Sequence, residues 1–510
     1  MASIHIIKTT TSSATMLTRL SQREINPNNA AAINVQRMTA EDSNAADEDS
    51  NHEEDDDAHF EKISKMYIKD STRDSYNSAN RALLLWLDKK QPNCVSEDTK
   101  QTLSSIFAAQ QGATAKRKNT VVSKKAFEII AKANPDSQPI VFENMTVKIF
   151  VSFLSSRARA KDASFLSKSG SGGYRSPAYK ELHRQCEVEV DSVFEKDLGQ
   201  KFKGLFRGYA QEKEEKGGWL AEGKDPMSFA LYKFLCKKMV EDGSKESIFA
   251  HAFLTLTWNL ICRSKNTIHI HRNHVTWGSD GMTIRFAHMK TDTEGGDSAR
   301  LRHLFSNPYC LPICVTTAVG KYLSTFLPKE NGMLFDGNSY NRFQKYLKGL
   351  VTKYHVDVER LGINPKDIGV HSIRKGAATY CCGGTTAAPH IAAVCNKAGW
   401  TMGKVKDTYI QYGEAGDQHV GRVVAGLPVL NAKYACSLVY VCIDDTDNPE
   451  ENTCTAEDVE HVVQTFFPGF VTVSISFKPV AIHCAAALLF AKDYFNEALS
   501  PRYVLYKITV

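Results

Sequence analysis

With 510 residues, the chain is long enough for two or three domains with substantial cores. Hydrophobic residues make up 42% and charged residues 24%, which predicts a largely soluble, globular protein; no apolar run approaches the ~20 residues that span a bilayer. The net charge of +6 conceals an asymmetry: residues 41–57 hold ten acids and no Lys or Arg, so the remainder carries +16, as in a polyanion-binding protein.

Residues 1–59 form a polar, acidic arm with little apolar periodicity and are expected to be disordered. Their first 23 residues lack acids and are rich in Ser and Thr, a weak match to an organelle transit peptide. Order is expected from about residue 63, where Tyr76, Ala79, Leu83 and Trp86 follow helical spacing into Leu87. The basic run 115–125, "AKRKNTVVSKK", reads as a loop: a phosphate contact, an import signal or a plain solvated connection. A helix is predicted over 145–161, then a flexible Gly/Ser-rich stretch, "SKSGSGGYRSP", at 167–177. Its glycines lack the strand before and the Lys-Ser/Thr after that a phosphate-cradling loop needs. Residues 60–215 together read as a small all-helical domain, and "EKGGWLAEGKDP" (215–226) as a linker.

Beyond the linker, "SFALYKFLCKKMV" and "IFAHAFLTLTWNLICR" predict strong helices, the second ending at Arg263. Strands are expected over 266–277 and 281–290, joined by a "GSDG" turn, with Lys290 at the tip of the second. His269 and His271 would share one strand face, but no third metal ligand is evident nearby. Residues 310–430 return to helix. The tail, 431–510, mixes β-branched runs such as "FVTVSISF" with an amphipathic or core helix near 481–495, and "FFPGF" (466–470) reads as a core turn. The thirteen cysteines are odd in number and scattered without zinc-ligand spacing, as expected of reduced thiols in an intracellular protein.

The most informative stretch is "DIGVHSIRKGAATY" (367–380). His371 and Arg374 sit three apart and would share a helical face, and the only acid, Asp367, precedes the expected helix start. A His–Arg face without a carboxylate suits an anionic substrate: Arg offers bidentate donors to phosphate oxygens, and His moves protons near neutral pH. Downstream, Gly399–Trp400 is followed nine residues later by Tyr409.

In that order, Arg263, Lys290, His371-Ser372-Ile373-Arg374, Trp400 and Tyr409 resemble the catalytic pattern of tyrosine recombinases, the phage integrases. The resemblance covers about 60–430 and is nearest in character to the recombinases of Crypton-type mobile elements. It implies a mainly α fold with a small β-sheet: an all-helical core-binding domain (60–215) and a mixed α+β catalytic domain (216–430), followed by a C-terminal extension (431–510) of unknown role. "GSGGYRSPAYKELHR" would be a DNA-facing loop and helix.

The resemblance further implies metal-independent breakage and rejoining of double-stranded DNA, with no cofactor and no metal ion. Tyr409 would form a 3′-phosphotyrosine, Arg263 and Arg374 would clamp the non-bridging oxygens, and His371 would carry the tyrosine proton. Lys290 would protonate the leaving 5′-oxygen, and Trp400 would donate its indole N–H to phosphate. Four protomers would assemble on two DNA sites, in the nucleus or, alternatively, an organelle. Lys375 stands where the family often has a histidine, Asn266 where an acid often supports the first arginine, and Tyr412 is a rival nucleophile. Two other functions stay open at this point: a domesticated, inactive DNA-binding regulator, and a type IB topoisomerase.

Overall fold

The computed structural model describes residues 68–110, 114–133, 135–160, 163–217, 224–278, 280–286, 301–327, 332–335, 337–400, 414–434, 456–469 and 474–498, with a few single positions between 59 and 112. They fall into two compact units, 59–217 and 224–498. The acidic stretch 41–57, the centre of the expected linker, residues 470–473 of the β-branched run, Lys290, Tyr409 and Tyr412 lie outside the described residues.

The first unit is helical: α1 (Asp70–Lys90), α2 (Glu97–Ala108), α3 (Ala115–Ala131), α4 (Val147–Arg159), α5 (Lys168–Ser176), α6 (Leu182–Gln185) and α7 (Ser192–Glu215). Its core joins Leu83, Leu84 and Leu87 of α1 to Phe150, Phe153 and Leu154 of α4 and Phe202 of α7. Thr146 caps α4 by accepting the Ile149 N–H, and the three- and four-residue spacing of its apolar positions keeps one face inward.

Two expectations fail here. The basic run 115–125, expected as a loop, lies within α3, because Val122, Ala126 and Ile130 form a buried stripe that carries the preceding lysines into the helix. The Gly/Ser-rich run, expected to be flexible, is helical from Lys168 to Ser176. Ser167 caps it by accepting the Gly170 N–H at 3.1 Å. Tyr174 packs edge-on against Phe153 at 5.1 Å, and its hydroxyl accepts from Arg157 Nε at 3.1 Å. Those contacts offset the roughly 1 kcal/mol that each of the three glycines, Gly170, Gly172 and Gly173, costs in a helix relative to alanine.

The second unit begins with α8 (Phe229–Asp242) and α9 (Lys245–Asn259), followed by the short α10 (Ser264–Ile268). Every residue of α9 from Ser247 to Asn259 is buried, which makes it the central helix of this unit. Trp258 near its end stacks on Tyr232 at 4.1 Å and donates its indole N–H to the Val424 carbonyl at 3.1 Å. Three short strands, β1 (Val275–Trp277), β2 (Met282–Ile284) and β3 (Arg302–Leu304), form an antiparallel sheet in that order, with Ile284 opposite both Val275 and Arg302. Then come α11 (Val315–Thr325), α12 (Ser339–Lys353), α13 (His355–Arg360), α14 (Val370–Gly383), α15 (Ile391–Ala398), α16 (Glu414–Val424), α17 (Ala456–Phe466), α18 (Lys478–Phe490) and α19 (Lys492–Ala498).

The mainly helical fold with a small sheet matches expectation, but the strands differ in extent. Most of 266–277 is not strand: Thr267 turns its hydroxyl inward to Thr257 (2.9 Å) and to Cys262 (3.2 Å), which winds 264–268 into α10. His269 and His271 therefore share no strand face, and His271 Nδ1 accepts the Asn273 N–H at 3.2 Å. Among the described residues no three His, Cys, Asp or Glu side chains are grouped to hold a metal. The sequence reading also missed β3, whose arginine and histidine look like surface residues until their burial is seen. The tail helices pack into the same core: α18 lies so close to α11 that a Cβ on Gly320 would sit 3.0 Å from the Cys484 carbonyl oxygen. None of the ten described cysteines is in a disulfide, and no described helix is long and apolar enough to cross a membrane.

Lys321 of α11 is fully buried over the Phe495 ring, and its ammonium nitrogen has no hydrogen-bond partner among the described residues. Burial pushes it down to about 7, against the weaker opposing influence of Cys236. Above that pH and up to about 10.4 the unfolded chain holds a proton that the folded chain lacks, so stability rises with pH by at most about 1.4 kcal/mol per unit. Lys321→Met should therefore stabilise the unit at pH 7 and flatten that slope, read by urea denaturation at pH 7, 8 and 9. In the first unit, Gly173 lies in α5 with open space where a Cβ would stand. Gly173→Ala should stabilise that unit by about 0.5–1 kcal/mol in the same assay.

Candidate functional site

Two helix ends and one helix face build the site. α9 ends with Ile261 at φ 48°, a left-handed conformation that a β-branched residue rarely adopts. The Ile261 N–H donates to Trp258 O and the Cys262 N–H to Thr257 O, the pair of bonds that closes a Schellman motif. The chain thereby turns sharply, and Arg263, half-buried, becomes the residue that opens α10. The strained backbone at Ile261, two residues before Arg263, is held by the complete burial of its side chain.

α15 ends in the same way. Gly399, at φ 66°, donates to Asn396 O, and the Trp400 N–H donates to Cys395 O at 2.9 Å. Here the left-handed position is a glycine, so the turn carries no Cβ penalty. It delivers Trp400 over Arg374, whose guanidinium carbon lies 5.0 Å from the ring centroid.

α14 supplies the face. Val370, Ile373, Ala377 and Cys381 are buried, which orients Arg374 inward while His371 stands exposed in the first turn. A strap at 224–227 fixes this helix: Met227 N–H donates to Ser372 O and Asp225 N–H to Asp367 O, each at 2.9 Å. The strap passes so near that a Cβ on Gly376 would lie 1.9 Å from the Met227 carbonyl oxygen. Lys375, next along the helix, donates to the Lys224 carbonyl at 2.6 Å.

Arg374 is 8% exposed. Its Nη2 donates to the Ala398 carbonyl at 2.6 Å, at the negative end of α15, and its buried Nε has no partner among the described residues. Burial, and then the neighbouring charge of Arg263, push the guanidinium down to about 10. Among the described residues no carboxylate pairs with Arg263 or Arg374. Two like charges are thus held together, one nearly dry, with a buried donor left open; such an arrangement is relieved by an anion with several acceptor oxygens.

The structure brings Arg263, Arg374 and Trp400 together and sets His371 one turn from Arg374. Lys290 and Tyr409 lie outside the described residues, in the connections 287–300 and 401–413 that leave β2 and follow Trp400. Sequence reasoning missed a buried polar cluster beside the arginines. Arg302 on β3 is 1% exposed, lies 5.0 Å over the Phe286 ring and donates through Nε to the Lys397 carbonyl at 3.3 Å. Lys397, Asp417 and His303 are buried next to it. The one sequence signal was the set of charges inside the apolar contexts "LRHLF" and "VCNKAGW". In the first unit, Arg175, Lys180 and Arg184 line a cavity of about 400 Å³ together with Glu195, and Arg184 donates to Glu181 at 2.9 and 3.2 Å, which offsets part of its charge.

No family model matches the sequence, and no curated protein matches it. Among solved structures the chain is distantly similar to XerH site-specific recombinase bound to difH substrate in a pre-cleavage complex, with 14% identity and a TM-score of 0.33 over 68% of this chain and 95% of that one. It is similar to FLP recombinase in a Holliday junction complex, at 13% identity and a TM-score of 0.34 over 61% and 78% of the two chains. It is likewise similar to Flpe in a Holliday junction complex, at 12% identity and 0.36 over 78% and 97%.

Gly399→Ala should cost about 1–2 kcal/mol, because a Cβ is disfavoured at that φ. Denaturant unfolding would read the loss. A fall in Trp400 emission contact with Arg374, isolated by comparison with Trp400→Phe, would show that the turn positions the indole.

Proposed function

We propose that this protein breaks and rejoins DNA strands through a covalent phosphotyrosine, as a site-specific recombinase or transposase. The observation that carries the reading is the Arg263–Arg374 pair: two guanidiniums near enough to repel one another and, among the described residues, no carboxylate paired with either and no acceptor for the buried Arg374 Nε. A phosphodiester offers two non-bridging oxygens on one phosphorus, one for each guanidinium, and its single negative charge grows toward two as the nucleophile adds, which two cations favour over the ground state.

Tyr409 is the proposed nucleophile. Its phenolic oxygen bonds to phosphorus as the bond to the 5′-oxygen breaks, and its proton passes to His371, exposed and on the same helix as Arg374. The leaving 5′-oxygen takes a proton from Lys290. Charge building on the non-bridging oxygens is met by Arg263 and Arg374, the role that metal ions fill in many nucleases. Trp400 packs over Arg374 and holds its plane. Because the phosphotyrosine keeps the energy of the broken ester, a 5′-hydroxyl from another strand reverses the step without ATP.

The partner in this reading is double-stranded DNA, gripped by a body carrying +16 outside the acidic stretch, and binding should weaken steeply with salt. Four protomers on two sites, a nuclear location and descent from a Crypton-type element belong to the same proposal; they are supported only by the sequence resemblance.

The test uses nicked duplexes cut from the DNA that flanks the gene, which trap a covalent product. Wild type should give a covalent protein–DNA band on a denaturing gel, Tyr409→Phe none, and Tyr412→Phe an undiminished one. Arg374→Ala should slow band formation by about 10²–10³. The band should persist in EDTA. Binding without a covalent product in wild type would make the chain a DNA-binding regulator, and strict magnesium dependence would remove the arginine clamp.

A further inference from the structure

Next to the arginine pair, the second unit holds a buried ionic cluster that the proposed chemistry does not use. Lys397, on the last turn of α15, is 1% exposed, and Asp417, on the first turn of α16, is 2% exposed. Lys397 Nζ donates to both Asp417 carboxylate oxygens at 3.2 Å and to the His303 carbonyl at 2.8 Å. Asp417 also accepts the His303 backbone N–H at 2.7 Å. From β3, Arg302 Nε donates to the Lys397 carbonyl at 3.3 Å. The last turn of α15 is therefore tied to β3 and α16 through both the side chain and the backbone of one residue. The strand and α16 are themselves pressed together: a Cβ on Gly421 would sit 2.5 Å from the His303 carbonyl oxygen.

What makes this cluster more than a core ion pair is the residue beside it. Ala398 follows Lys397, and its carbonyl receives the Arg374 Nη2 N–H at 2.6 Å. Two residues further on, Trp400 lies over the same guanidinium. Among the described residues no carboxylate pairs with Arg374, so the Ala398 carbonyl sets where its plane stands. A buried ion pair is often no more stabilising than apolar side chains of the same volume. What it adds is a single geometry, because hydrogen bonds fix direction where apolar packing tolerates shifts.

We propose that Lys397, Asp417 and Arg302 are positioning residues for Arg374: they hold the end of α15 where its Ala398 carbonyl receives the guanidinium. The consequence for catalysis rests on the recombinase reading; the placement of Arg374 does not. Each of the three is at most 2% exposed, so each acts through Arg374 and not on the phosphate itself.

The test reads Arg374 itself, in the full chain, by its reaction with phenylglyoxal, an arginine-selective dicarbonyl, followed residue by residue in peptide mass spectra. Lys397→Met with Asp417→Leu replaces the ions by apolar side chains of similar volume. Arg374 should then react at least about tenfold faster than in wild type, while Arg272, 9% exposed in the same unit, stays within about twofold. An unchanged Arg374 overturns the proposal, and so does an equal rise at both arginines, which would be general loosening. On the nicked duplex the double variant should slow covalent-band formation by about 10²-fold, and combined with Arg374→Ala it should be no slower than Arg374→Ala alone, because both act through one guanidinium. A wild-type rate, or a multiplied loss of about 10⁴-fold in the combination, would equally overturn it. If wild type forms no covalent band, the recombinase reading fails and the dicarbonyl rates alone decide. Should the double variant lose the wild-type far-UV spectrum, Asp417→Asn takes its place, with a rise of at least about threefold expected at Arg374 and none at Arg272; any other pattern overturns the proposal.

Discussion

The site depends on one hydrogen bond, from Arg374 to the carbonyl of Ala398. It joins the face of α14 to the end of α15 at the point where the backbone turns through Gly399 and presents Trp400. The carbonyls at a helix C-terminus lack intrahelical partners and carry partial negative charge, so a guanidinium satisfies one of them and is attracted to the rest. The same end of α15 takes Arg302 on the Lys397 carbonyl and sends Lys397 to Asp417. One helix terminus thus gathers α14, β3 and α16.

Gathering cations in this way opposes folding. Arg374 is nearly dry, is repelled by Arg263 and leaves one donor unsatisfied among the described residues, at a cost of the order of 1–3 kcal/mol for that group alone. Ile261 adds backbone strain directly before the Cys262–Arg263 pair. These costs sit beside a core that can absorb them: α9 is buried all round, and Trp258 is stacked, hydrogen-bonded and anchored to Val424. Strain and open donors concentrated at one place, with a well-packed helix behind them, are what a preorganised anion site requires.

How far the sequence could be read varied with the kind of signal. Helices with a clear apolar period, such as α4, α8 and α9, were legible because one buried face repeats every three to four residues. The Gly/Ser-rich run was misread, because its helix depends on Tyr174 meeting Phe153 and Arg157, partners that no local pattern announces. The basic run at 115–125 was misread for a related reason: its lysines suggested a loop, while the stripe that makes it helical begins at Val122. The strand over 266–277 was overcalled from its β-branched residues, one of which, Thr267, folds inward to Thr257.

By itself the sequence determined a mainly helical chain, the order of Arg263, His371, Arg374 and Trp400, and the three-residue spacing that puts His371 and Arg374 on one helix, because these follow from local period and composition. Only the tertiary structure decided that Arg263 and Arg374, separated by more than a hundred residues, come near enough to repel one another, with no carboxylate paired to either among the described residues. It alone revealed that Lys375 is turned to the 224–227 strap and that Lys397, Asp417 and His303 are a buried cluster. Charged residues look alike in a sequence whether they face water or the interior; what separates them is desolvation, and that is fixed only when distant segments pack over them.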